Sequence, residues 1–142
     1  MRDIKYIMVH CTAGSQKNKA KDIVDFHLRP TAKGGKGWRA PGYHYIIEPD
    51  GTVVPTWPES KVSNGVKGYN SVSINISYIG GVDLSMPCLP PVDNRTPQQK
   101  AAMLSLLRQL KARYPYAEIH SHRDFANKAC PSFDATKEYA GL

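Results

Sequence analysis

Between His120 and Asp134 the chain gathers two imidazoles, a thiol, an ammonium and two carboxylates within fifteen residues. Pro131 directly follows Cys130 and argues against a continuous helix, so these groups belong to a loop. Histidine and cysteine are the preferred ligands of zinc, although the spacing here fits no finger pattern. A hydrolytic zinc site needs three protein ligands and one open position for water. His10, at the end of an apolar run, can join His122 and Cys130 to supply two neutral nitrogens and one thiolate. That set leaves a single positive charge on a divalent ion, enough to acidify bound water. His120 competes for the same role. If residues 119–121 are extended, His120 and His122 face the same way and spacing does not separate them. Cys11 is expected on the opposite face from His10 if the strand continues.

Two further groups can serve such a site. Lys128, two residues before Cys130, shares its side in an extended segment and can stabilise an oxyanion. Tyr43 opens a strand beside His44, where a phenol can polarise a carbonyl or position water. Each residue also has a plain structural reading: a hydrogen-bonded strand-end histidine, a solvated lysine, a half-buried aromatic.

The elements that must position these residues follow from periodicity. Residues 4–10 are rich in Ile, Val, Tyr and Met and read as a strand with His10 at its end. Residues 17–28 read as a helix with Ala20, Ile23, Val24, His27 and Leu28 on one face, stopped by Pro30. Residues 31–41 form a glycine- and lysine-rich loop that Trp38 can pin. Strands over 43–47 and 52–57 flank Glu48-Pro49-Asp50-Gly51, where Asp-Gly is a strong hairpin signal. Residues 71–79 alternate as a strand closed by Gly80-Gly81, and 82–95 are proline-rich and aperiodic. Thr96-Pro97-Gln98-Gln99 is a capping box with proline at the first helical position. It opens a helix to about Tyr114 that buries Ala102, Met103, Leu106, Leu107 and Leu110. A short strand over 117–120 and a helical turn over 135–139 complete the chain. This order predicts an α/β fold, a central mixed β-sheet flanked by helices.

The length of 142 residues predicts a single domain over 1–142. Three cysteines, Cys11, Cys88 and Cys130, are too few and odd for a disulfide framework and fit a reducing compartment. No stretch is long and apolar enough for a membrane span. The start is too short and polar for a cleavable signal, which predicts a protein cytoplasmic as synthesised. The net charge of +7, from 19 basic and 12 acidic residues, favours polyanions such as nucleic acid, anionic lipid or cell-wall polymer. No recognised nucleic-acid motif is present, so no specific nucleic-acid partner is expected. A monomer is expected.

Four segments stand in a telling order: Val9-His10-Cys11-Thr12-Ala13; Gly42 to Ile47 followed by Asp50-Gly51-Thr52; Lys67-Gly68-Tyr69-Asn70 with Ser73-Ile74; and His122 through Lys128-Ala129-Cys130-Pro131-Ser132-Phe133-Asp134. Together they resemble the type 2 zinc-dependent N-acetylmuramoyl-L-alanine amidases, which share their fold with peptidoglycan recognition proteins. The likeness is greatest to the phage lysozyme-type amidases, whose third zinc ligand is cysteine. The resemblance implies a Zn2+ enzyme with His10, His122 and Cys130 as ligands and Tyr43 and Lys128 as catalytic residues. It thereby prefers His122 over His120. It implies bacterial peptidoglycan as substrate, cut between the lactyl group of N-acetylmuramic acid and the first L-alanine of the stem peptide. The protein would then act on the wall after release or export. A peptidoglycan-recognition module that binds without cutting is the alternative. Two positions depart from the family's pattern. Gly65 stands where such enzymes often carry a histidine, and Ser77 where other branches carry a glutamate base that phage-type enzymes also lack. The water-activating base is left unassigned, with Glu48 and Asp124 as candidates. Asn70 and Ser73 are expected to brace the site, and Trp38, Arg39 and Tyr69 are candidate cleft residues.

Overall fold

Strand β1 (Tyr6–Cys11) is an interior strand of a five-stranded sheet. In the computed structural model, which describes residues 2–142, the strand order is β3-β2-β4-β1-β5. β4 (Ser73–Tyr78) and β5 (Glu118–Ser121) flank β1, both parallel to it. β2 (Tyr45–Ile47) lies parallel to β4, and β3 (Val53–Pro55) returns antiparallel to β2. The sheet is mixed, as its sequence order predicts. The turn between β2 and β3 depends on Gly51, whose φ of +92° suits glycine. Its N–H donates to the Glu48 carbonyl at 2.8 Å.

Helices cover both faces. α2 (Pro97–Arg113) lays Met103, Leu106, Leu107 and Leu110 on Ile7, Val9, Ile47, Ile74, Ile76 and Tyr78. The short α3 (Ala135–Glu138) seals the same side through Ala135. α1 (Ala20–Leu28) covers the other face with Ala20 and Ile23 against Ile46 and Ile79. β4 is buried along its whole length. Its isoleucines face α2, whereas Ser73, Asn75 and Ser77 alternate onto the opposite face. The register sets Asn75 beside Met8 and Ser77 beside His10.

The capping box closes as its sequence predicts. Gln99 N–H donates to Thr96 Oγ1, and Thr96 N–H donates back to Gln99 Oε1, each at 3.0 Å. Gln99 does more than cap. Its Nε2 donates to the carbonyls of Ile47 and Ile79, both at 3.1 Å, and ties the start of α2 to the sheet. Short 3-10 turns at Thr31–Lys33, Asn70–Val72 and His122–Asp124 are not legible from periodicity. Among the described residues no helix is long and apolar enough to cross a membrane.

The proline-rich segment before α2 is anchored by Arg95, whose side chain is only 1% exposed. Its guanidinium donates to Asp93 and Glu138 carboxylates at 2.9 Å and to Tyr139 Oη at 2.9 Å, and stacks 3.5 Å from the Phe133 ring centre. Hydrogen bonds from Arg95 hold Glu138 below the usual carboxylate range. Burial opposes the same shift at Asp93, but the guanidinium prevails there too. Both carboxylates thus have depressed native pKa values, so their contribution is present above the unfolded carboxylate range and fades as pH falls through the native values. Arg95→Met is expected to cost about 2 kcal/mol at neutral pH and to flatten the acid limb of stability below about pH 4. Urea midpoints measured from pH 7 to pH 2 check both. Parallel acid limbs for wild type and variant would count against the network.

Candidate metal centre

The carboxyl ends of parallel strands are where open α/β sheets place their sites, and the candidate residues meet there. His10 closes the site face of β1, and His122 follows directly after β5. Their rings lie 4.6 Å apart between centres, with Nδ1 facing Nδ1 at 3.1 Å. Cys130 completes the group: ligand atoms, one each from His10, His122 and Cys130, lie within 4.8 Å of one another. His120 does not join it. It bonds to Glu118 and Asp124 at 3.1 Å each, and its ring packs against Tyr6 and Phe125. Of the two histidines that spacing left equivalent, the fold brings His122 into the cluster and leaves His120 outside it.

Cys130 reaches His10 because its loop folds across the end of the sheet. Tyr78 Oη donates to the Pro131 carbonyl and Ser132 Oγ to the Gly81 carbonyl, both at 2.7 Å. Arg123 N–H donates to the Cys130 carbonyl at 2.8 Å. Cys11 does face away from His10, into the core under α2. Its backbone nevertheless serves the site, for the Cys11 N–H donates to Cys130 Sγ at 3.1 Å. Gly81 makes this approach feasible: a Cβ there would lie 2.4 Å from Cys11 Sγ.

The electrostatics suit a cation. Burial, reinforced by His122, lowers the His10 pKa to about 3. Burial and then Lys128 lower that of His122. Both imidazoles therefore stay neutral with a lone pair to offer. The neighbouring Cys11 thiol and burial push the Cys130 thiol well up, whereas the Cys11 N–H and Lys128 pull the other way. A divalent ion at this point would overcome that rise, since a coordinating thiol is deprotonated outright. Two neutral imidazoles and a thiol, brought together with no carboxylate among them, are a donor set that fits zinc.

Tyr43 flanks the cluster, its ring centre 5.1 Å from that of His10 and its hydroxyl donating to the Cys11 carbonyl at 3.3 Å. Burial pushes its phenol far up, so it remains a neutral donor. Lys128 is exposed at the rim. The expected base candidates are occupied elsewhere. Glu48 Oε2 accepts from Ala20 N–H at 2.9 Å and caps α1, while Asp124 Oδ2 accepts from Ser121 N–H at 3.3 Å and from Thr136 Oγ1. Trp38 pins its loop, as its position suggests: its N–H donates to the His27 carbonyl at 2.9 Å and its ring packs on the His27 ring. Arg39 is exposed, and Tyr69 packs with Tyr6 and Phe125.

The bracing of His10 corrects the sequence reading. Asn70 does not touch the cluster; its Oδ1 accepts from Gly65 and Val66 N–H groups at 2.9 and 2.7 Å. Ser73 Oγ donates to the Tyr69 carbonyl at 2.7 Å. Asn75 braces His10 instead, with Oδ1 2.8 Å from His10 Nε2. A polar residue alternating with isoleucines in a strand buried on both faces is the signal that points to it.

Comparison with known proteins bears on the fold and the family. Residues 1–133 match the family model described as N-acetylmuramoyl-L-alanine amidase. The endolysin of Enterobacteria phage K11 is 39% identical over 135 residues, covering 94% of this chain and 83% of that protein. The structure of the Ph2119 endolysin from the Thermus scotoductus MAT2119 bacteriophage Ph2119 superposes with a TM-score of 0.75 at 32% identity, over 92% of this chain and 79% of that one. Drosophila PGRP-LB shares the fold alone, with a TM-score of 0.75 at 18% identity over 100% of this chain and 82% of that one. The chain belongs to the N-acetylmuramoyl-L-alanine amidase family.

Proposed function

We propose that this chain hydrolyses the amide between N-acetylmuramic acid and L-alanine in bacterial peptidoglycan, with zinc held by His10, His122 and Cys130. The observation that carries the reading is the convergence of two neutral imidazoles and a thiol within 4.8 Å at the carboxyl ends of β1 and β5. Zinc in such a site supplies Lewis acidity toward water and the scissile carbonyl.

The remaining chemistry falls to the protein. His10 and His122 keep their lone pairs because burial denies them a proton. The Cys11 N–H, directed at Cys130 Sγ, stabilises thiolate there. Tyr43 stays protonated and holds its hydroxyl on a 3.3 Å bond to the Cys11 carbonyl, long enough to be exchanged for the substrate carbonyl. Lys128 projects an ammonium at the rim, where negative charge develops as the carbonyl becomes tetrahedral. The positive net charge of +7 draws the protein toward an anionic wall polymer.

The direct test digests defined peptidoglycan with zinc-loaded protein and looks by mass spectrometry for stem peptides with a new N-terminal alanine. Release that a chelator abolishes and zinc restores is expected; stoichiometric zinc without release would favour a recognition module. Cys130→Ser is expected to weaken zinc binding and abolish release, because the thiolate is the only anionic ligand; full activity in this variant would remove the site. Lys128→Ala is expected to retain zinc and lose about ten- to a thousand-fold in turnover, and an unchanged rate would return it to the role of a surface lysine. Tyr43→Phe should lower the rate more than the metal content, whereas loss of zinc would assign Tyr43 to site assembly instead.

A further inference from the structure

The nitrogen that His10 presents to the cluster is decided by hydrogen bonds that begin at a backbone amide. The Asn75 N–H, a donor under all conditions, points at His44 Nδ1 at 3.0 Å. His44 Nδ1 therefore carries no proton, and its Nε2–H donates to the Lys61 carbonyl at 2.8 Å, a shorter contact than the 3.2 Å to the Arg2 guanidinium, which has backbone carbonyls at Glu59, Asn70 and Ser73 to bond instead. Ser63 Oγ lies 3.2 Å from that same Nδ1. Facing a lone pair, the Ser63 hydroxyl must donate, which leaves its own lone pairs for the Asn75 amide. Asn75 Nδ2 donates to Ser63 Oγ at 2.8 Å. The other end of the amide, Oδ1, then faces His10 Nε2 at 2.8 Å and requires a proton there. His10 Nδ1 is left bare, and it is Nδ1 that faces His122. His10, His44, Ser63 and Asn75 are each no more than 1% exposed, so water has little part in these assignments.

Gly65 is the steric partner of this arrangement. A Cβ on Gly65 would stand 2.4 Å from both Cγ and Oδ1 of Asn75. The neighbour is a buried amide already committed at both ends, so it has no free rotamer to retreat to. The glycine leaves the space that the amide occupies, and Asn70 fixes the turn that brings it there.

We infer that Asn75, seated over Gly65, is the positioning residue that locks His10 in the Nε2–H tautomer and so presents Nδ1 to the metal. The inference rests on the zinc reading above and adds a positioning role for Asn75. Partners of this kind orient a ligating imidazole and raise its basicity, and their loss costs metal affinity even where no ligand is touched.

The test uses the full chain, chelator-treated and zinc-loaded. Long-range 1H–15N spectra of the imidazoles are expected to show His10 protonated at Nε2 and bare at Nδ1 before zinc is added. Asn75→Leu, of similar volume but without an acceptor, is expected to lose that tautomer preference and about 10- to 100-fold in zinc affinity by chelator competition. Asn75→Asp keeps the acceptor and is expected to stay within a few-fold of wild type, a rescue that a packing role alone would not produce. Gly65→Ala should reproduce the loss, and combined with Asn75→Leu should add little to it, because both act on the same bond. If Asn75→Leu does not fold, the Asp and Gly65→Ala variants carry the comparison. An Nδ1–H tautomer in the wild type, an unchanged affinity in Asn75→Leu, or full additivity of the two losses would overturn the inference. Failure of the wild type to bind zinc would sink the ligand assignment instead, while the tautomer in the chelator-treated protein judges the Asn75 bond separately.

Discussion

A buried, uncharged imidazole on β1, an interior strand of the sheet, sets the terms for everything packed around it. His10 is 1% exposed, and an imidazole so deep is stable only when neutral and hydrogen-bonded. Neutrality leaves one nitrogen as donor and the other as acceptor, so each must find the right neighbour. Asn75 meets the first need and the open cluster the second. The condition that lets His10 reside in the interior is thus the one that leaves it a lone pair to offer a cation. Folding and chemistry impose the same requirement at this residue.

The sheet meets that requirement through alternation. Odd positions of β1, Ile7, Val9 and Cys11, enter the core under α2, while Met8 and His10 turn to the other face. β4 repeats the division, its isoleucines inward and its Ser and Asn residues on the site side. A slip of one residue between β1 and β4 would exchange these faces and bury the wrong set. The same pairing places Ser77 beside His10. The short side chain there leaves Tyr43 room to pack close to the histidine ring. The Cys130 loop is then held across the strand ends by Tyr78, the last residue of β4, and by Gly81 just beyond it. His10 and Cys130, although 120 residues apart in sequence, are positioned by two adjacent strands.

Much of this was legible in the residues themselves. Hydrophobic runs marked all five strands, and Asp-Gly and the Thr96–Gln99 capping box marked the hairpin and the main helix, because such signals are local. The expected strand ends differ from the observed ones by at most two residues, mostly by running too long where loops take over the hydrogen bonding. His120 and His122 were not separable by spacing, since the choice depends on where β5 stops and its 3-10 turn begins. Asn75 was passed over for Asn70 because its meaning appears only when β4 is paired with β1. Arg95 was missed for a similar reason: it lies in an aperiodic segment, and Glu138, one of its partners, is 43 residues away. Local pattern reveals elements; the groups that brace a site are revealed by register.

The carboxylates make the same point from the opposite side. Glu48 and Asp124 drew attention as bases because acidic groups near a hydrolytic site invite that reading. In the fold each resolves a helix end, Glu48 at the first turn of α1 and Asp124 at the turn that carries His122. An anion at the start of a helix answers exposed N–H groups, and both are held by these partners. What gathers at the cluster is instead two neutral imidazoles, a thiol held by a backbone N–H, a phenol that burial keeps protonated, and an ammonium at the rim. Every one of these groups donates a lone pair to a cation or a hydrogen bond to an anion. Such a set favours the accumulation of negative charge on a substrate carbonyl between them, the electrostatic change that amide hydrolysis requires.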